Sequence, residues 1–461
     1  MVGSASTEVP ISPHITRRAA LLCVFFIPKP VILIVHMLSR LKQQIFRLSR
    51  WSERYTKTNT LYVVASSLWL NIGRIIGIGS GLLLTTAFAN LLTPETFGAY
   101  KYILAVAGLV AAFGLNGMGS ALSRAIAQKK YHVIPSVVRT TMLWALPASI
   151  VSASIAAYYF TQGNTLLGWG FLGIAIFNVF SSGYGLSKSI LVATGDFKAN
   201  MVITIPRTLF PVFAVLGTLL LTQHIVWIIG VYFLSNMVAS WAMYQFALWK
   251  LRVKESAQDV ADTVLYGTHL SALGFFVAVS SQIDQLLLFH FAGGATLAIY
   301  ALALAPVQEA RGALDNFVTI LFARIAGKST EDARRSTSLR ARQMFLISLA
   351  ATLAYIACIP FLFYVLFPQY TASILVTQVL ALTLLFQPRG ILDAYLLAHG
   401  EIKKRYVWIL SSQVIKLTLN VSLIPFFGLW GVVAAAITSE AITALVIYFV
   451  YRTTRPQAAR V

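Results

Sequence analysis

What most constrains this chain is a train of apolar runs, each long enough to cross the roughly 30 Å of hydrocarbon in a bilayer. They lie near residues 66–92, 97–121, 137–160, 166–193, 201–222, 225–248, 267–291, 296–324, 343–367, 373–399, 406–425 and 429–451. The pattern is that of an all-α integral membrane protein with twelve transmembrane helices. Most connections are very short, so successive helices should be antiparallel neighbours. Composition agrees. Of 461 residues, 58% are hydrophobic and 11% charged, where a soluble protein carries about 25% charged residues. An ordinary cytosolic enzyme is excluded.

A net charge of +21 first suggests nucleic acid, but its placement argues otherwise. One set of loops carries Arg124, Lys129 and Lys130, then Lys198, then Lys250, Arg252 and Lys254. It continues with Lys328, Arg334, Arg335, Arg340 and Arg342, then Lys403, Lys404 and Arg405, then Arg452, Arg455 and Arg460. The intervening loops LLTPET, TQGNT, TQH, AGGAT, FPQYT and PFFG have no Lys or Arg. Basic loops mark the cytoplasmic side. Both termini are therefore expected in the cytoplasm, and the excess charge faces anionic lipid. No nucleic-acid partner is expected. Cys23 and Cys358 are isolated, with no metal spacing and no disulfide framework. No cofactor is expected.

Residues 1–60 precede the first span. Ala19–Leu38 is apolar but interrupted by Pro28-Lys29-Pro30, which would break a helix. Residues 39–57 resemble a basic amphipathic helix with Leu41, Ile45, Leu48 and Trp51 on one side. The segment is read as an extension lying on the inner membrane surface, with a thirteenth span at 19–38 as the alternative. A weak internal repeat follows at about 200 residues. FGAYKYILA at 97–105 resembles LAIYALALA at 297–305, matching Tyr100 with Tyr300. Arg124 matches Arg324, and LVATGDFK at 191–198 resembles LLAHGEIK at 396–403. Two six-helix lobes inserted the same way up are expected, related by a pseudo-two-fold axis along the membrane normal. Their boundaries are 61–248 and 265–452, with a cytoplasmic loop at 249–264 and a tail at 453–461.

Charges inside the spans are the informative residues, because one at the bilayer centre costs roughly 2.5 kcal/mol or more. The first six spans carry Arg74, Lys101, Lys188 and Arg207 and no acid. The last six carry Asp284, Glu309, Asp315, Asp393 and Glu440, with Arg311, Arg389 and Lys416. Lys188, Arg207 and Lys101 lie near the ends of spans, where long stems snorkel to water. Arg74 is deeper, roughly 12 Å inside the first span at the helical rise. Asn71, Arg74, Gly81 and Thr85 share a face, beside a Gly73, Gly77, Gly81 ridge that would permit close helix contact.

PVQEARGALDN, Pro306 to Asn316, sits at the middle of the eighth span. At about 100° per residue, Gln308, Glu309, Arg311, Gly312, Asp315, Asn316 and Thr319 share one face. Val307, Ala310, Leu314 and Val318 form the other. Arg311 and Asp315 stand four apart and can pair within the helix, leaving Glu309 without a local partner. Asp284, on the preceding span, either helps line the same wall or pairs with Arg311. A second cluster, Arg389, Asp393, Lys416 and Glu440, is read as mutual pairing within the last spans, with a cation site as the alternative. Pro306, Pro360 and Pro388 mark bends.

Five stretches carry a family resemblance. GSGLLLTTAFANLLTPETFGAYKYI in the first spans and SQIDQLLLFHFAGGATLAIYALAL in the seventh and eighth are similar to polysaccharide flippases. LFPQYTASILVTQVLALTLLF, LLAHGEIKKR and LNVSLIPFFGLWGVVAAAITSE resemble that family's last three spans. The likeness covers about residues 61–451. The family is the O-antigen-type oligosaccharide flippase branch of the multidrug/oligosaccharidyl-lipid/polysaccharide exporter superfamily. It implies a V-shaped cavity between the lobes of a multi-pass protein of the cytoplasmic (inner) membrane. It also implies export of an undecaprenyl-diphosphate-linked oligosaccharide to the outer leaflet by alternating access. The expected partners are that lipid, membrane lipids, a proton or sodium ion, and polysaccharide polymerase machinery. Arg and Lys bind phosphate oxygens by charge-assisted hydrogen bonds. Asn71, Arg74, Lys188, Arg207, Gln308, Arg311 and Asn316 are therefore the candidate substrate groups. Asp284, Glu309 and Asp315 are candidate coupling carboxylates.

Three rivals remain. A multidrug exporter of the superfamily should have acids in its first lobe, and the spans here have none. A lipid II flippase usually has further spans after the twelfth, and here ten residues follow it. A non-transporting scaffold has only the amphipathic N-terminus in its favour.

Overall fold

The computed structural model describes residues 60–222, 224–253, 260–325, 330–399 and 401–454. The expected surface helix at 39–57 and the alternative span at 19–38 lie outside them. The described residues from 72 to 454 group into one compact unit. The first half comprises α1 (Thr60–Leu91), α2 (Pro94–Ala112), α3 (Met118–Ala127), α4 (Ile134–Thr161), α5 (Thr165–Tyr184), α6 (Ser187–Ala193), α7 (Phe197–Leu221) and α8 (Ile225–Leu251). The second comprises α9 (Val260–Ile325), α10 (Thr330–Leu366), α11 (Ala372–Leu380), α12 (Arg389–Ala398) and α13 (Ile402–Thr453). No strand occurs among the described residues.

Nine of the described helical segments are long and apolar enough to cross a membrane. Two of them are helices that turn on a single glycine. α9 breaks at Gly293, φ 82°, and α13 at Gly428, φ 51°. Both angles lie in the left-handed region open to glycine, and both fall in loops without basic residues. Three other turns are closed by side-chain caps, which satisfy the exposed amides of a helix start. Thr93 accepts from the Thr96 amide ahead of Pro94, Asn164 from Leu167, and Asp196 from Ala199. Asp196 also receives Lys250 Nζ at 2.6 Å, tying the start of α7 to the end of α8.

The core is in three parts. One gathers Phe88, Phe97, Tyr100 and Ile103 with Phe171, Phe233, Leu302 and Phe363, drawn from both halves of the chain. A second lies within the last half around Tyr300, Val307, Leu314, Leu384, Tyr395 and Val432. The third packs α3 against α4, α6 and α8 through Leu122, Val137, Ile190 and Met243. Outside these, large apolar side chains are openly exposed, including Ile75, Trp227, Phe361 and Leu221. In water this would be an aggregating surface; against lipid it is the expected exterior.

The Gly73, Gly77, Gly81 ridge does not pack a helix. A Cβ built at any of the three meets nothing within 4 Å. The close approach is made instead by α2 against α9, the most extensive helix contact among the described residues. A Cβ at Gly98 would lie 1.8 Å from the Gly294 carbonyl oxygen. At Gly108 it would meet the Gln282 side chain at 2.9 Å, and at Gly117 the backbone and side chains of Gly267, Leu270 and Ser271 at 2.5–2.7 Å. The Gly117 amide donates to Ser271 Oγ at 2.9 Å, and Tyr102 stacks on Phe289 at 4.0 Å between ring centroids. The two halves of the chain therefore touch along a seam running from one end of α2 to the start of α3.

Candidate functional site

α9 after its glycine break carries PVQEARGALDN, and its two faces have different surroundings. Val307 and Leu314 are buried in the second core, with Ala310 and Val318 packed against it. Gln308, Glu309 and Asp315 are exposed. The division follows the helical projection. The side chain of Asn316 lies outside the described residues, as does that of Asn71 on α1.

The polar face is a meeting point for four helices. Arg311 Nη1 lies 3.0 Å from Glu440 Oε1 on α13. Arg389, the first residue of α12, places its Nη1 on Glu440 Oε2. One carboxylate, with 14% of its side chain exposed, thus holds two guanidinium groups. Arg74 reaches the same place from α1. A Cβ at Gly312 would meet Arg74 Nη2 at 2.2 Å, so the guanidinium lies against the bare glycine between Arg311 and Asp315. Asp315 lies in the electrostatic field of Arg311, Arg389 and Arg74, opposed by Glu440. The partner shown for Arg311 is Glu440 on another helix, an acceptor that projection of one helix cannot reveal. Glu309 makes no ion pair among the described residues.

Asp284 does not join this network by an ion pair. It is 5% exposed and accepts a hydrogen bond from Tyr300 Oη at 2.8 Å. Its charge is solvated by a phenol across the glycine turn of α9, a partner the sequence did not suggest. Arg207 donates from Nη2 to Ser240 Oγ on α8 at 3.3 Å, and Lys188 is exposed. Neither makes a hydrogen bond or ion pair with the cluster among the described residues.

The second cluster pairs only in part: Arg389 and Glu440 meet within it, while Asp393 finds its partner outside it. Asp393 pairs with Arg405, not with Arg389. Arg405 Nε and Nη2 donate to its two carboxylate oxygens at 2.7 and 3.2 Å. This fork-to-carboxylate pair bridges the turn between α12 and α13. The physical reason is that Glu440 already occupies Arg389. Lys416 makes no ion pair among the described residues and lines a cavity with Arg389 and Glu440.

A helical, membrane-spanning scaffold with cations gathered at mid-span from both halves of the chain defines an integral membrane protein with a charged site inside it. The chain belongs to the polysaccharide biosynthesis protein family, whose model matches residues 63–326. Among solved structures, the lipid II flippase MurJ in an inward closed conformation is similar at TM-score 0.69 and 14% identity, over 85% of this chain and 88% of that one. An inward-facing multidrug resistance MATE family transporter of the MOP superfamily gives 0.61 at 15% identity, over 85% and 100%. A MOP superfamily transporter from Pyrococcus furiosus Vc1, described by a reversed polarity of its binding pocket, gives 0.59 at 15%, over 84% and 94%. No curated protein sequence matches significantly. The fold is the one these solved structures share, and the apolar helices make the chain a multi-pass membrane protein.

Proposed function

We propose that this chain moves an undecaprenyl-diphosphate-linked oligosaccharide from the inner to the outer leaflet of the cytoplasmic membrane. The observation that carries the reading is the gathering of Arg74, Arg311 and Arg389, from three helices, around Asp315 and Glu440. Cations outnumber carboxylates there, which suits a diphosphate and would repel a cationic drug. Residues 61–248 and 265–452 act as two lobes that alternate access about the loop at 249–264. The 1–60 extension rests on the inner surface, and both termini are cytoplasmic. Glu309, exposed and outside the ion-pair network, is the carboxylate best placed to load and release a proton or sodium ion.

A second reading is lipid II export, favoured by the likeness to MurJ. Purified protein in liposomes, with labelled lipid-linked oligosaccharide or lipid II on one leaflet, separates the two. Oligosaccharide lipid should change leaflet at a rate that falls about tenfold or more in Arg74→Ala, the loss of one charge-assisted contact. Transport of lipid II alone would replace the first reading by the second, and transport of neither would remove both.

A further inference from the structure

Two cavities flank Ile409 of α13, and their walls differ in kind. One, of about 220 Å³, lies between α12 and the two halves of α13 and is polar: Arg389, Trp408, Gln413, Lys416, Glu440 and Thr443 face it. The other, of about 470 Å³, lies between α2, α9 and α13. Its wall is mostly small and apolar, with Gly108, Ala111, Leu270, Val277 and Ala278, and carries Asn116 and Ser120 at one end. Ile409 is the lining residue the two share.

The chemistry of the polar cavity selects an oxyanion. Lys416 offers a charge with no ion pair among the described residues. The Trp408 indole N–H is buried without a hydrogen-bond partner, and it is a donor only. The one carboxylate, Glu440, is already shared between Arg311 and Arg389. A buried donor without a partner is costly, so a ligand that accepts hydrogen bonds relieves it and gives the half-buried Lys416 a counter-charge. The volume far exceeds the roughly 30 Å³ share of one water. The adjoining apolar cleft answers the other half of an amphipathic molecule.

We infer that the two cavities form one bipartite site for a lipid phosphate, its headgroup on Lys416, Trp408 and Arg389 and its hydrocarbon chain in the cleft beside α2, with Ile409 at the junction. The site adjoins the Arg74–Arg311 face and shares Arg389 and Glu440 with it, so it deepens the proposed function and rests on that reading for the choice of a polyprenyl probe. Glu440 is the resident competitor for Arg389. An arriving phosphate shares that arginine and leaves Glu440 more fully to Arg311, which links occupancy of this site to the charge on the central face.

The test is binding to the full chain in nanodiscs, with two probes: undecaprenyl phosphate in the bilayer and inorganic pyrophosphate in the water. Lys416→Ala should weaken undecaprenyl phosphate binding about tenfold, the loss of one charge-assisted contact, and Lys416→Arg should restore most of it. Ala278→Phe, which fills the cleft, should weaken the lipid probe and leave pyrophosphate unchanged. Glu440→Gln should tighten both probes. Pyrophosphate binding that depends on Lys416, with the lipid probe indifferent to Ala278→Phe, would overturn the bipartite site in favour of a free-phosphate site. Binding of either probe unaffected by Lys416→Ala would overturn the headgroup assignment. Leaflet transport is read separately: absent transport with lipid-phosphate binding intact counts against the proposed function alone.

Discussion

The guanidinium of Arg74 lies against the Cα of Gly312, where a Cβ would come within 2.2 Å of Nη2. The obstructing atom is the far end of a flexible side chain, so Gly312→Ala displaces the arginine without disturbing backbone. Alanine is also the better helix residue by about 0.5–1 kcal/mol. The expected outcome is unchanged or slightly raised thermal stability in detergent, with leaflet transport reduced to the level of Arg74→Ala. Normal transport in Gly312→Ala would show that Arg74 does not act from this position.

Arg405 and Asp393 clip the turn between α12 and α13 through two hydrogen bonds. Both groups are partly exposed, which moderates their worth. A charge-assisted pair of this geometry contributes roughly 1–2 kcal/mol. Arg405→Ala and Asp393→Asn should each lower the unfolding midpoint, and a double-mutant cycle should return a coupling of about 1 kcal/mol. Because the clip is apart from the Arg74 face, transport per folded molecule should change little.

The seam of α2 against α9 depends on glycine where backbone meets backbone. A Cβ at Gly98 would sit 1.8 Å from the Gly294 oxygen, and no side chain can yield to relieve it. Gly98→Val should therefore push the helices apart at this end, while Gly108→Ala, which meets the flexible Gln282 side chain, is borne more easily. A cysteine placed at Phe289, which stacks on Tyr102 across the seam, reads the difference. Its labelling by a membrane-impermeant maleimide should rise severalfold in Gly98→Val, by the loosening of packed helices. Equal labelling in the two backgrounds would refute the seam as a closure.

These particulars show what one-dimensional pattern carries. The division of α9 into a face buried through Val307 and Leu314 and a polar face through Gln308, Glu309 and Asp315 was legible, because both faces follow from the helical period. The glycine breaks at Gly293 and Gly428 fall in loops already marked by their lack of basic residues. Partners across the fold were not legible. Small-residue spacing reports that a helix can be approached closely, but not by what. Gly73, Gly77 and Gly81 face open space while Gly98, Gly108 and Gly117 are in contact. In the same way, Arg389 has an acid four residues on, yet pairs with Glu440 on another helix, and Asp393 goes to Arg405. The hydrogen bond from Tyr300 to Asp284 had one clue, the repeat that aligns Tyr300 with Tyr100, but nothing in it named the acceptor.

Glu309 and Glu440 stand on helices that pack together and should behave oppositely when neutralised. Glu440 holds two arginines and is mostly buried. Glu440→Gln leaves both guanidinium groups without their anion, at a cost of roughly 3 kcal/mol in folding stability. Glu309 is exposed and makes no ion pair among the described residues, so Glu309→Gln should shift stability by no more than about 0.5 kcal/mol. A carboxylate that must be loaded and emptied in each cycle is better free of a permanent partner, since an ion pair opposes protonation. Glu309→Gln should then abolish the dependence of leaflet transport on an imposed proton gradient while leaving downhill exchange measurable. Unchanged gradient dependence in a well-folded Glu309→Gln protein would remove Glu309 from the coupling mechanism.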